Sequence, residues 1–236
     1  MEELNPKQKE VEKMTTAGLH FGHRTSKKHP KMGPYIHTTR SGINIINLQK
    51  TDEKLEEALK FIEELISKGG QLLVVGTKVQ LTGITKTFAE ECQLPYVLKR
   101  WLGGTLTNFE TIKKRIDHLK DLEKKREEGS LEKYTKKEQL NISREIEALK
   151  LKFEGLKSLS QLPEAILILD MDKDALVVKE ARDKKVKIIG IVDTNVNPEL
   201  ADYPIPANDD AISSVHYILN RIKEKIIEAK QKTGSV

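Results

Sequence analysis

Three short, nearly uninterrupted apolar runs constrain this chain more than any other feature. They are Leu72-Leu73-Val74-Val75, Ala165-Ile166-Leu167-Ile168-Leu169 and Ile188-Ile189-Gly190-Ile191-Val192. Each is shorter than an ordinary helix and has no polar face, which marks a strand covered on both sides. Tyr96-Val97-Leu98 and Ile43-Asn44-Ile45-Ile46-Asn47-Leu48 read as further strands. Helical patterns fall between them. One has Leu55, Leu59, Ile62 and Ile66 on its apolar face, with Thr51 or Asp52 as cap and Gly69-Gly70 as its end. Other helices are expected over about 79–92, 175–184 and 210–230, the last with Ile212, Val215, Leu219, Ile222 and Ile226 on one face. This alternation implies an α/β fold with a parallel sheet covered on both faces. Five strands from residue 72 onward suggest a doubly wound sheet of the flavodoxin-like kind.

One segment stands outside the alternation. No strand signal occurs between Gly104 and Leu162, and 23 of the 42 residues 113–154 are charged, too many for a covered layer. Phe109, Ile112, Ile116 and Leu119, then Ile142, Ile146, Leu149, Phe153 and Leu156, follow coiled-coil spacings, with a break at Glu128-Gly129-Ser130. That pattern predicts an antiparallel helical hairpin, a coiled coil inserted over 105–159. The expected partition is an N-terminal helix with a basic loop or hairpin in 1–50, an α/β body in 51–104 and 160–236, and the inserted hairpin.

Charge separates these parts. The net charge is +5, yet residues 52–236 hold 32 basic and 32 acidic side chains and so contribute nothing to it. Residues 13–51 carry Lys13, Arg24, Lys27, Lys28, Lys31, Arg40 and Lys50, no acid, and four of the six histidines. Such a segment suggests a polyanion partner, nucleic acid first. Glycines, Pro30 and Pro34 argue for a loop or hairpin over residues 18–35, with Phe21 and Tyr35 free to pack or stack. The bland alternative is an ordinary basic surface loop. No apolar run approaches the roughly 18–20 residues of a membrane span, and the polar, acidic start MEELNPKQKE does not read as a signal or transit peptide. Cys92 is the single cysteine, so an intrachain disulfide and a cysteine-based zinc finger are excluded, and a reducing cytoplasm is the expected compartment.

Other motifs carry two readings each. His20 and His23 form a weak H-x-x-H, which Asp193, Asp209 and Asp210 could complete along the carboxyl edge of such a sheet. His23, Asp193, Asp209 and Asp210 are therefore candidate ligands of a divalent ion, against a reading of capping and loop-bracing carboxylates. Val75-Gly76-Thr77-Lys78 can hold an anion at a helix start, with Lys78 adding charge, but both nucleotide-loop glycine spacings are missing. Lys99-Arg100-Trp101-Leu102-Gly103-Gly104-Thr105-Leu106-Thr107-Asn108 reads as the hinge between body and hairpin, with Thr105 or Thr107 as helix cap and Arg100 in reach of a phosphate. No nucleophile stands beside the paired carboxylates, and Cys92 falls on a helix pattern as core.

The ordered set GLHFGH, PKMGPYI, GINIINLQKT, VGTK, RWLGGTLTN, DTN and DYPIPANDDA resembles the small-subunit ribosomal protein S-two family in its bacterial or organellar form, from about Met14 to Ile218. The resemblance implies the flavodoxin-like body with a protruding helical hairpin and no catalytic activity. It also implies binding to small-subunit rRNA and contact with the large mRNA-binding ribosomal protein S-one. On that reading Arg24, Lys27, Lys28, Lys31 and Arg40 neutralise rRNA phosphates, with Lys78 and Arg100 as second-rank contacts, and no cofactor is required. The rivals are a nucleotide-binding flavodoxin-like enzyme and a coiled-coil interaction module without an RNA role.

Overall fold

A computed structural model describes residues 6–133 and 135–233. Five parallel strands form the central sheet: β4 (Leu72–Val75), β5 (Tyr96–Val97), β6 (Ala165–Ile168), β7 (Lys187–Val192) and β8 (Tyr203–Pro206). Their spatial order is β5-β4-β6-β7-β8. Counted within the sheet this is 2-1-3-4-5, the doubly wound flavodoxin-like order, with the direction of winding switching between β4 and β6.

Alternation along the strands builds two cores. Leu72, Val74, Leu167, Ile189 and Ile191 face one side, under α2 (Leu48–Ser67), α3 (Thr82–Glu91) and α7 (Ile212–Thr233). Leu73, Val75, Ile166, Ile168 and Ile188 face the other, under α6 (Ala175–Asp183) and the base of the hairpin. Helix α7 buries Val215, Ile218, Leu219, Ile222 and Ile226, each worth roughly 1.5–3 kcal/mol relative to exposure. Helix α1 (Pro6–Thr16) adds Met14 to the same layer.

Two caps differ from expectation. Helix α2 starts at Leu48 because Asn47 Oδ1 accepts the Gln49 and Lys50 amides. Thr51 lies one turn inside, where its hydroxyl donates to the Pro206 carbonyl at 2.6 Å and ties α2 to β8. Neither Thr105 nor Thr107 caps the hairpin's first helix; Asn108 stands at that position, without a side-chain cap bond.

The acid-free segment folds into a small antiparallel sheet of β1 (Phe21–Arg24), β2 (Ile36–Arg40) and β3 (Ile43–Ile46), ordered β1-β3-β2. Residues 41 and 42 make the tight turn from β2 to β3, with φ of 51° at Ser41 and 76° at Gly42, the left-handed pair that suits a twisted hairpin. Pro30–Tyr35 forms a 3-10 turn that sends Met32 into the second core.

The hairpin, α4 (Phe109–Glu127) and α5 (Lys136–Phe153), occupies the crossover from β5 to β6. Ile112, Ile116, Leu119 and Leu122 meet Ile146 and Phe153 along the seam. Glu123 of α4 binds Lys150 at 3.0 Å and Lys157 at 2.8 Å across it. At the base, Glu180 of α6 is 5% exposed and accepts bonds from the Gly104, Leu106 and Thr107 amides at 2.8, 3.0 and 3.2 Å and from the Trp101 indole at 3.3 Å. Burial acts to raise its pKa, but those donors outweigh it and hold the carboxyl below its ordinary value. This carboxylate fixes the 101–107 loop, and through it the root of the hairpin.

Replacing Glu180 by Ala leaves these donors unpaired and is expected to cost about 2–4 kcal/mol, read as a lower urea midpoint. Because the folded pKa is depressed, the stabilisation is present above the unfolded value of 4.5 and is lost as pH falls through the folded one. The unsubstituted chain should therefore lose more stability below pH 4.5 than Glu180→Ala does.

Candidate nucleic-acid interface

Strand ends decide where the charges meet. In a parallel sheet the residues just past each carboxyl end gather on one edge. Here Asp170 follows β6, Asp193 follows β7, and Asp209 and Asp210 follow β8. Lys78, after β4, reaches into this acidic edge: Nζ lies 3.1 Å from Asp170, 3.0 Å from Asp209 and 2.8 Å from Asp210. Burial works to lower the Lys78 pKa, but the carboxylates raise it, so the ammonium stays charged. Asp209 is pushed up to about 7 by burial and by the neighbouring Asp170 and Asp193 carboxylates, against the pull of Lys78. Asp210, half open to solvent, is lowered chiefly by its bond to Lys78.

His23 brings the small sheet onto this edge. Its Nδ1 lies 3.1 Å from Asp193 and its Nε2 3.6 Å from Asp210. The bond to Asp193 raises the His23 pKa despite partial burial. Thr194 forms the socket beside it. Its hydroxyl accepts the His23 amide at 2.8 Å, and its carbonyl accepts the His29 amide at 2.8 Å. Only glycine fits at position 22, because an added Cβ would lie 2.5 Å from Thr194 Cγ2 and 3.1 Å from the Asn44 carbonyl. Asn208 completes the seat, giving its amide to Leu19 O at 3.1 Å and accepting the Asp210 and Ala211 amides ahead of α7.

Four further cations of the segment form no ion pair among the described residues. Arg24, Lys27 and Lys28 lie on and after β1, and Arg40 on β2 at the hairpin tip. All four are exposed, and among the described residues none has an ion-pair partner within 4 Å. Lys31 pairs with Glu199, a surface contact of little energetic weight that a phosphate can displace. Phe21 is 49% exposed, with the His20 ring centroid 4.0 Å away. Tyr35 instead packs against the second core.

The residues that the sequence singles out therefore divide by geometry. His23 meets Asp193 and Asp210, while Asp209 and Asp210 are held by the Lys78 ammonium, and among the described residues no group of three or more His, Cys, Asp or Glu side chains is arranged to hold an ion. Lys78, expected near a phosphate, is spent on carboxylates. Arg100 follows β5, three strands from β7, a separation of about 14 Å at the usual strand spacing. The ligand crevice of this fold, between the ends of β4 and β6, is crossed by its own side chains: Thr77 donates to Asp174 at 2.9 Å and Lys78 fills the space beside Asp170. Sequence reasoning missed Asp170 and Glu180 altogether, and Thr194 entered it only as the middle residue of the DTN motif. For Asp170 a signal existed, since it is the first polar residue after an apolar strand.

The sequence pattern of the family described as Ribosomal protein S2 matches residues 14–229. The chain belongs to the ribosomal protein S2 family. It is thus a structural protein of the small ribosomal subunit, without enzymatic activity, that binds small-subunit rRNA and ribosomal proteins. The S2-family match spans the small sheet, the body and the hairpin, so the cationic segment belongs to the family unit. No described helix is long and apolar enough to cross a membrane.

The His23 contacts set a pH expectation. A raised folded pKa means that its stabilisation is fully present below 6.5 and is lost as pH rises through the folded value. The His23 ring resonance should titrate with a midpoint above 6.5 in the intact chain and at a lower pH in Asp193→Asn. A midpoint unmoved by that substitution would dissociate His23 from Asp193.

Proposed function

We propose that Arg24, Lys27, Lys28, Lys31 and Arg40 are the side chains through which this chain holds small-subunit rRNA. The observation that carries the reading is the sorting of charge within residues 13–51. His23 turns inward to the acidic edge, while Arg24, Lys27, Lys28 and Arg40 stay exposed and without an ion pair among the described residues. A polyanion is the partner that such a face lacks. Four or five cations on a small sheet and its turns neutralise backbone phosphates, and they recognise the shape of the RNA more than its sequence. Phe21, exposed on the same strand as Arg24, offers a ring face to an unpaired base. Binding is the whole of the mechanism, with counterion release as its main driving force.

Two finer readings rest on less. Contact with the large mRNA-binding ribosomal protein S-one is supported by the family resemblance. An ion on His23, Asp193, Asp209 and Asp210 is supported only by the contacts of His23 with Asp193 and Asp210, and it would have to displace Lys78 from Asp209 and Asp210.

The test is charge reversal. Lys27→Glu, Lys28→Glu and Lys31→Glu together should lower incorporation into small subunits, leave thermal unfolding nearly unchanged, and flatten the dependence of log affinity on log salt by roughly 2–3. Normal incorporation of the triple variant would remove these residues from the interface.

A further inference from the structure

A groove at the root of the hairpin is not accounted for by rRNA binding. It lies between the loop after β5, the last turn of α5 and the first turn of α6, and encloses about 480 Å³. Trp101 and Leu102 form its floor. Leu151 and Leu176, 59% and 48% exposed, form its walls. Packing explains neither leucine. The hairpin seam already uses Ile146 and Phe153, and the buried face of α6 uses Val177, Val178 and Ala181. Two large apolar side chains from separate helices converge on one depression, at a cost in solvent exposure that folding alone does not repay.

The rim is cationic. Lys99, Arg100 and Lys152 are exposed, and among the described residues they have no ion-pair partner within 4 Å. A second depression of about 240 Å³ continues from the first, sharing Lys99, Arg100, Leu151 and Lys152 and adding Lys86, Lys150 and one acid, Glu154. Lys86 and Lys150 are already matched by Glu90 and Glu123.

We propose that this groove docks an acidic, amphipathic segment of a partner protein. Its apolar side chains insert between Leu151 and Leu176, and its carboxylates meet Lys99, Arg100 and Lys152. Charge complementarity selects an acidic partner. The apolar walls favour a protein over RNA: the ring in the groove floor, Trp101, is 5% exposed and fixed by Glu180, so a base finds no open aromatic face between the leucines. The site stands apart from the proposed phosphate-binding edge and does not depend on it.

The test uses the full chain and a fluorescein-labelled, 16-residue-scale helical peptide rich in Glu with Leu at i, i+3, i+4 and i+7, the apolar stripe of a groove-binding helix (about two turns). Saturable binding is expected, weakened at least tenfold by Leu151→Ser with Leu176→Ser, and also weakened by Lys99→Ala with Arg100→Ala and Lys152→Ala. A peptide of the same composition with shuffled leucines should bind far more weakly. Hydrogen exchange in the unsubstituted chain should slow at 99–103, 150–153 and 175–178 when the peptide is added, a readout that needs no variant to fold. Equal binding of the shuffled peptide, unchanged binding by both variants, or protection confined to residues 20–42 would overturn the proposal. So would protection of the groove by a single-stranded oligouridylate in place of the peptide.

Discussion

A single ammonium group, Lys78 Nζ, holds together an edge that would otherwise repel itself. Parallel strands ending side by side deliver Asp170, Asp193, Asp209 and Asp210 to one place. Asp209 shows the strain: burial and the neighbouring Asp170 and Asp193 carboxylates push its pKa up to about 7. Lys78 touches three of them, and His23 reaches the fourth and one of the three. Taking charges out of water is costly unless they are well paired. The lysine of the body and the histidine of the small sheet therefore form one electrostatic unit.

That unit explains why an acid-free segment belongs on this body. Part of its charge answers the acidic edge, through His23 to Asp193 and Asp210. The Thr194 socket and the close approach at Gly22 then fix the backbone. With β1 held from behind, Arg24, Lys27 and Lys28 remain exposed. A surface held in place in this way would offer a proposed phosphate partner a site at a lower ordering cost. The same logic applies at the other end of the sheet, where the buried Glu180 carboxylate pins the 101–107 loop and sets the hairpin's root.

The sequence was most legible where one physical rule acts alone. Continuous apolar runs gave the strands because burial on both faces leaves no alternative, and the seam spacings gave the hairpin with its break at Gly129. It was least legible where distant residues compete. Thr51 looks like a cap, but the Pro206 carbonyl 155 positions away claims its hydroxyl, and Asn47 caps instead. Lys78 in a Gly-Thr-Lys turn looks like an anion site, and only its meeting with Asp170 and Asp209 reverses that. Glu180 looks like an ordinary charge on an amphipathic helix, since nothing local reveals the amides that surround it.

The seat on Asp193 and Thr194, and not charge alone, holds the cationic face in place. Thr194→Val tests it most directly, because it removes the acceptor for the His23 amide while the net charge stays the same. Incorporation of this variant into small subunits lacking the protein should fall several-fold, with the α/β body still folding cooperatively. Incorporation equal to that of the unsubstituted chain would mean that charge alone places the segment.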